Sequence, residues 1–304
     1  MSSRKGGRMQ ALTSIELSGL EVFSKGKVRN VYDLGDRLLI VASDRISAFD
    51  YVLPTGIPDK GKILTGVSAF WFRRLEDVSK HHMITDNAGE FPRELGEFVE
   101  ILRHRSMLVW KAERIDVECI VRGYLSGSAW KEYSNDGTVA GYVLPPGLRR
   151  GAKLDMPAFT PSTKSDDGHD RNITVEEMSD LVGSKPTQLI MQKSLSLFEK
   201  ARRFADSRGI TIVDTKFEFG YFKDDIVLID EVFTPDSSRF WIRERPDSQP
   251  INVDKQFIRD FLEETGWDKN SPPPALPREV AAECRRRYML LYDKLTGEMP
   301  PWEV

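Results

Sequence analysis

Hydrophobic and polar positions alternate with period two through residues 212–220, Ile-Val-Asp-Thr-Lys-Phe-Glu-Phe-Gly, where β-branched and aromatic residues dominate. That pattern predicts a strand. Val213, Thr215, Phe217 and Phe219 fall on one face, as core. Asp214, Lys216 and Glu218 fall on the other, about 7 Å apart from one to the next. A second apolar run, 226–233, follows the polar turn Lys223-Asp224-Asp225. A hairpin centred on Asp224 sets Glu218 directly opposite Asp230. Two facing carboxylates repel unless a cation lies between them, and an all-oxygen ligand set suits Mg²⁺. A solvated ladder of surface charges is the plain alternative, and a one-residue slip in register removes the pairing.

The same reading runs along the rest of the chain. Residues 23–33 are the first arm of a hairpin, 33–36 its turn and 37–42 its apolar second arm. The first arm begins Lys25-Gly26-Lys27-Val28-Arg29, with Lys27 and Arg29 pointing the same way, an arrangement that can lie over polyphosphate. Ser43-Asp44-Arg45-Ile46-Ser47-Ala48-Phe49-Asp50 is a polar stretch at a strand end, where ligand contacts are common; a loop with a local Asp–Arg pair is the even alternative. Residues 56–62 nearly match a phosphate-binding loop, but Ile63 stands where Ser or Thr is needed and Pro58 lacks an N–H, so that reading is rejected. Residues 63–75 form a core helix rich in aromatics. His81 and His82 read as surface residues.

Strands at 106–110 and 115–121 flank a connector, 111–114, and the domain boundary falls near residue 112. This divides the chain into 1–112 and 113–304. A connector between two lobes is a place for an adenine ring. A strand then ends at Arg122, and Gly123, Ser126, Gly127 and Ser128 lead into a helix from 129, with Ser128 as N-cap. Free N–H groups at a helix start beside Arg122 make an anion site suited to phosphate. Residues 160–172 are a long polar loop ending in a capping box, Thr174 with Glu177. A long amphipathic helix spans 186–207 and stops at Gly209. Arg239 emerges from the second strand of the 212–233 hairpin and can reach the same site. Helices at 254–265 and 277–295 pack back on the core, and Arg285, Arg286 and Arg287 read as a solvated face.

Composition narrows the class without choosing the function. The chain has 304 residues and a net charge of −3, so no basic field argues for nucleic acid. Its two cysteines, Cys119 and Cys284, form no metal spacing. A basic, polar start without an apolar segment is not a secretory signal, and no apolar run approaches membrane-spanning length. The expectation is a cytoplasmic protein, monomer or homodimer, with small-molecule partners and no nucleic acid or membrane.

Together these elements offer two basic phosphate-contacting loops, an Arg/Ser anion site and a metal pair on a hairpin, as phosphoryl transfer from a nucleotide requires. Residues 117–128 and 212–220 closely resemble the SAICAR synthetase family. So do Gly26-Lys27-Val28-Arg29-Asn30-Val31-Tyr32, residues 43–50 and 230–239, and the Gly-Trp and Leu-Thr-Gly segments of the tail. The resemblance runs from about residue 20 to the end.

It implies an α+β fold, with a kinase-like N-terminal antiparallel-sheet lobe, a larger ATP-grasp-like lobe with C-terminal helices, and ATP between them. It implies a ligase of de novo purine biosynthesis that joins L-aspartate to 5-amino-1-(5-phospho-D-ribosyl)imidazole-4-carboxylate through an acyl phosphate, giving SAICAR, ADP and phosphate. By position, Glu218 and Asp230 would hold Mg²⁺. Lys27, Arg29, Lys111 and Glu113 would serve ATP. Arg122, Ser128 and Arg239 would bind the ribonucleotide phosphate, with Glu118 nearby. Lys216 and Asp214 would sit at the reacting centre, Asp44, Arg45 and Ser47 on the substrate side, and Lys164 and Asp170 in the loop. Asn30 stands where the family more often carries Asp. A small-molecule kinase of similar architecture and a non-catalytic nucleotide-binding module are the alternatives. The Arg122/Ser128 pocket beside Glu118 favours the ligase over the first, and the three charges Lys216, Glu218 and Asp230 weigh against the second.

Overall fold

The computed structural model describes residues 10–164, 171–243 and 248–303. Two antiparallel sheets organise them. The first runs in the order Val22–Lys25, Arg29–Asp33, Arg37–Ala42, Ser106–Trp110, Met83–Thr85. The second is built on the strand Ile210–Phe222, which has different neighbours along its two halves. Its first half lies between Val117–Tyr124 and Ser238–Ile242. Its second half pairs with Asp225–Ile229 and Glu113–Arg114. Lys153–Thr163 extends the sheet beyond Val117–Tyr124, and Ile251–Asn252 closes the other edge.

The expected alternation in the long strand holds beyond a bulge between Ile212 and Asp214, with Phe217 and Phe219 in the core and Asp214, Lys216 and Glu218 meeting charged partners. Val213, Thr215, Phe217 and Phe219 are buried. Helix Ser184–Ser207 covers that side of the sheet, burying Ile190, Leu197, Phe198, Ala201 and Ala205 at helical spacing. Gly123 has a packing role here, because a Cβ on it would come within 3.1 Å of the Phe198 ring. Helix Lys60–Leu75 lies between Arg37–Ala42 and the helix Arg278–Thr296. Its Trp71 ring sits 5.1 Å from Phe233, which sits 5.1 Å from Phe217. One core is therefore continuous between the sheets. The C-terminal helix packs back on the core, as expected.

Several expectations change. The arm at 23–33 is two strands, because Gly26 N–H bonds to the Arg29 carbonyl at 2.8 Å and turns the chain back. The helix expected from 63 begins at Lys60. The helix expected from 129 is Gly127–Asp136, with Ser126 as N-cap, which frees the Ser128 hydroxyl for another partner. Thr160 to Thr163 belong to a strand, while 165–170 lie outside the described residues. His82 is buried. Arg285 is bound to Asp59, and Arg287 to Glu283 and the Asn252 carbonyl, so the arginine run is not simply solvated.

Candidate active site

One face of the second sheet carries a continuous polar row, and its register dictates who meets whom. Asp214 is the cross-strand partner of Arg122 on one side and Arg239 on the other. Arg239 Nη1 donates to Asp214 Oδ2 at 2.7 Å, and Arg122 Nη1 lies 3.7 Å from the same oxygen. Arg122 also donates to Thr160 Oγ1 at 2.9 Å and to Ser128 Oγ at 3.1 Å. Burial pulls the Arg122 pKa down against the pull of Asp214, while Asp214 above all raises that of Arg239. Two guanidinium groups share one carboxylate, so this corner keeps an excess positive charge. The start of helix Gly127–Asp136 adds free N–H groups. Gly127 lets that helix start close in, since a Cβ there would come within 2.5 Å of the Arg239 guanidinium. A cavity of about 900 Å³ opens beside Arg239 and Ser126, with Tyr124, Trp241 and Gln256 in its wall.

Further along the same strand the signs reverse. Lys216 donates to Glu118, and its Nζ lies 3.7 Å from Glu218 Oε1. Lys164 pairs with the other Glu218 oxygen. Burial would lower the Lys216 pKa, but Glu118 and Glu218 outweigh it and raise it, so the ammonium is held charged. Asp230 takes both arms of Arg29, Nη1 at 2.6 Å and Nη2 at 2.9 Å, and Arg29 also lies 3.2 Å from Glu231. Burial works against the Asp230 carboxylate, yet Arg29, Lys164 and Lys216 together hold its pKa below the usual range.

The expected pairing of Glu218 with Asp230 is off by one residue. Glu218 pairs with Ile229, because the hairpin closes through two residues, Phe222 facing Asp225, with Lys223 in a left-handed conformation (φ 55°). In a regular strand that slip would send Asp230 to the opposite face. Asp230 instead follows the strand end in a left-handed conformation (φ 65°). Its carboxylate acts electrostatically on Lys216 and Arg29, as Glu218 does. Both acids are thus within electrostatic reach of Lys216 and Arg29, although not as a cross-strand pair.

Other expected site residues lie apart from this row. Lys27 sits at the tip of the first hairpin, 2.5 Å from Asp50, whereas Arg29 is paired with Asp230. Arg45 backs that tip, donating to the carbonyls of Thr13, Gly26 and Lys27 and to Asn30 Oδ1. Asn30 uses its other end to donate to the Ile15 carbonyl at 2.9 Å, which a carboxylate cannot do. Asp44 is buried, accepting from Leu12 N–H, Gly61 N–H and Arg105. Ser47 is buried in a two-residue strand. Lys111 is 2.5 Å from Asp33, and Glu113 pairs through its backbone with the long strand. Asp170 lies outside the described residues.

The sequence reading missed Glu231, Thr160 and the pair Lys60–Asp236. Thr160 occupies an alternate position in a strand beside Arg122, a signal present once that strand is drawn. Lys60 belongs to the rejected phosphate-loop match and is wholly buried, 2.7 Å from Asp236.

Comparison with known proteins decides among the remaining readings. The sequence model of the SAICAR synthetase family matches residues 22–274. The chain belongs to the SAICAR synthetase family. The phosphoribosylaminoimidazole-succinocarboxamide synthase of Thermodesulfovibrio yellowstonii is 50% identical over 283 residues, 92% of this chain and 97% of that protein. That of Pelobacter propionicus is 48% identical over 285 residues, 93% and 96% of the two chains. Among solved structures, the SAICAR synthase of Saccharomyces cerevisiae complexed with SAICAR superposes with a TM-score of 0.84 at 38% identity, covering 94% of this chain and 98% of that one. A SAICAR synthetase in complex with ADP gives 0.69 at 26%, covering 92% and 99%. The resemblance drawn from the motifs is borne out, as is the α+β fold class. SAICAR synthetases are the ATP-dependent ligases that join L-aspartate to the carboxylated aminoimidazole ribonucleotide in purine biosynthesis.

A divalent ion is implied by chemistry on a nucleotide's phosphates. Among the described residues no cluster of three or more His, Cys, Asp or Glu stands ready to hold a metal. Glu218 and Asp230 are both ion-paired in this structure, to Lys164 and to Arg29, and Mg²⁺ characteristically takes one or two carboxylates with phosphate and water completing its shell.

Proposed function

We propose that the polar face of the second sheet is where this ligase does its chemistry in the cytoplasm, with the ribonucleotide phosphate at Arg122, Ser128 and Arg239. ATP would lie between the two sheets, consistent with a division of the chain near residue 112. Lys27 at the hairpin tip and Arg29 would face its phosphates, and Lys111 and Glu113 would flank its base. The observation that carries this reading is the spacing on one strand. The excess positive charge at Asp214 and the acids around Lys216 lie two residues apart, about 7 Å. A ribonucleotide anchored by its phosphate therefore presents its imidazole carboxylate near Lys216.

A carboxylate is a poor electrophile. Transfer of the γ-phosphoryl group to a carboxylate oxygen gives an acyl phosphate and ADP. The aspartate amine then attacks the acyl carbon, the C–O bond to phosphate breaks, and the nitrogen loses a proton to leave the amide. Glu218 and Asp230 would hold Mg²⁺, which when bound neutralises charge on the transferred phosphoryl group. Lys216, fixed between Glu118 and Glu218, orients the carboxylate and offsets its charge. Asp214 aims both arginines at the phosphate. Arg45 supports the nucleotide hairpin from behind, Asp44, Arg45 and Ser47 would lie on the substrate side, and Lys164 would steady Glu218 from the strand end.

The experiment is release of phosphate from ATP with the ribonucleotide present, with and without L-aspartate. Release and SAICAR formation that both require aspartate support the ligase. Aspartate-independent transfer to a hydroxyl would establish a kinase in its place.

A further inference from the structure

We propose that Thr160 is a positioning residue for Arg122, fixing by a side-chain hydrogen bond from the sheet's outermost strand the plane of the guanidinium that meets the ribonucleotide phosphate. The inference rests on the reading of Arg122, Ser128 and Arg239 as the phosphate subsite. Lys153–Thr163 flanks Val117–Tyr124, with Ala158 opposite Arg122 and Thr160 opposite Ile120. Thr160 and Arg122 therefore share one face of the sheet as diagonal neighbours, a separation that a long side chain spans. Arg122 Nε donates to Thr160 Oγ1 at 2.9 Å. The Thr160 hydroxyl donates in turn to the Ile120 carbonyl at 3.5 Å, which leaves its lone pairs for Arg122. Both residues are buried, Thr160 at 2% exposure and Arg122 at 3%.

Arg122 needs this bond because its other contacts hold it at one end only. Nη2 donates to Ser128 Oγ at 3.1 Å, while Nη1 lies 3.7 Å from Asp214 Oδ2, too far for a hydrogen bond. Arg239 has taken that oxygen at 2.7 Å. A guanidinium recognises phosphate through N–H groups lying in one plane, so its orientation matters as well as its charge. Bonds at Nε and Nη2 pin that plane at both ends, and the inner one exists only while residue 160 carries an acceptor. Without the hydroxyl, Nε–H is a buried donor lacking its partner, and the guanidinium gains by turning away from the phosphate geometry to find another. Each cation of the corner thus has its own anchor, Asp214 for Arg239 and Thr160 for Arg122.

The test is calorimetric binding of the ribonucleotide, and separately of Mg²⁺-ATP, to full-length Thr160→Val, Thr160→Ser, Arg122→Ala and the double variant Thr160→Val with Arg122→Ala, with thermal unfolding recorded for each. Valine keeps the branched shape and suits a strand, but removes the hydroxyl; serine keeps the hydroxyl. We expect Thr160→Val to weaken the ribonucleotide by about tenfold, as for loss of a hydrogen bond to a charged group, and to leave Mg²⁺-ATP within about twofold of the parent. Thr160→Ser recovers most of the loss. In the Arg122→Ala background there is no guanidinium to hold, so Thr160→Val adds less than about twofold. Unchanged ribonucleotide binding in folded Thr160→Val overturns the proposal. Equal weakening of both ligands overturns it too, as does the same loss from Thr160→Val with and without Arg122. If Thr160→Val or Arg122→Ala does not fold, Thr160→Ala or Arg122→Lys is read by the same criteria. Arg122→Ala separates the two levels: if it binds the ribonucleotide normally, the phosphate reading fails. If it is impaired while Thr160→Val is not, only the positioning role fails.

Discussion

Asp214 and Arg239 face each other across the central pair of strands, with Arg239 Nη1 2.7 Å from Asp214 Oδ2. Arg122 approaches that oxygen from the opposite strand at 3.7 Å. One carboxylate thus pre-positions two cations without neutralising both. An anion entering this corner meets oriented donors whose ordering cost was met during folding, which is where affinity without rearrangement comes from.

Removing one arginine should therefore act on one substrate. Arg239→Ala is expected to raise KM for the ribonucleotide by about 10–100-fold, the loss of a charged hydrogen bond of about 1.5–3 kcal/mol. KM for ATP should stay within about twofold. Arg239→Lys retains charge but not the fork and is expected to fall between the two. Steady-state kinetics with each substrate varied in turn measures this. Equal damage to both KM values would remove the phosphate from this corner.

Lys216 should show in kcat. It is held charged between Glu118 and Glu218, and removing it leaves two acids facing a third at Asp230. Lys216→Met is expected to lower kcat by about 100-fold or more while ribonucleotide binding persists. Because its pKa is raised, Lys216 stays protonated above the ordinary lysine value of about 10.4. No alkaline loss of activity below that pH should belong to it. An alkaline limb present in the parent and absent from Lys216→Arg would contradict this.

Much of this site can be read from residue order, for identifiable reasons. The alternation at Asp214, Lys216 and Glu218 is a property of any strand, and the chain obeys it. The hairpin register is not local in the same way. It depends on Lys223 accepting a positive φ, which a glycine would have announced and a lysine does not. Asp230 joins the site through a second positive φ, equally silent in the sequence. Arg29 looked like a free phosphate ligand because its acids at Asp230 and Glu231 lie some two hundred positions away. His82 read as a surface residue because a histidine pair at a helix exit carries no pattern, while its burial arises where two sheets meet.

The rejected phosphate-loop match leaves a buried ion pair to be explained. Lys60 Nζ is 2.7 Å from Asp236 Oδ2, Lys255 Nζ is 3.7 Å from the same oxygen, and Tyr288 donates to Oδ1 at 3.3 Å. Burial disfavours the Asp236 carboxylate, but the two lysines hold its pKa well below normal. The pair ties helix Lys60–Leu75 to the loop carrying Ser237, whose carbonyl accepts the Lys216 N–H. Lys60→Met is expected to cost about 3–5 kcal/mol, since it strips a partner from a buried charge. Denaturant unfolding measures the loss, and a change under about 1 kcal/mol would show the pair to be dispensable.

Asp254 supplies a pH dependence of the opposite sign from that of an ordinary paired carboxylate. It is buried behind Arg239, accepting from Phe240 N–H at 2.6 Å and Gln256 N–H at 2.7 Å. Burial pushes its pKa up to about 6, against the pull of those two bonds and of Arg239. Below the unfolded value of about 3.9 both states carry the proton, and above about 6 both have lost it. Between these the folded state binds a proton that the unfolded chain has released, so this group's contribution falls as pH rises. The drop is about 3 kcal/mol across the window. Asp254→Asn cannot titrate, and although it forfeits a backbone bond worth about 1 kcal/mol, its deficit should shrink or reverse as pH rises. Denaturant unfolding of parent and variant at about pH 4.5 and about pH 7 provides the comparison. Stability differences that stay the same at both values would show that Asp254 is ionised throughout, stabilised by its two N–H donors and the Arg239 charge in spite of its burial.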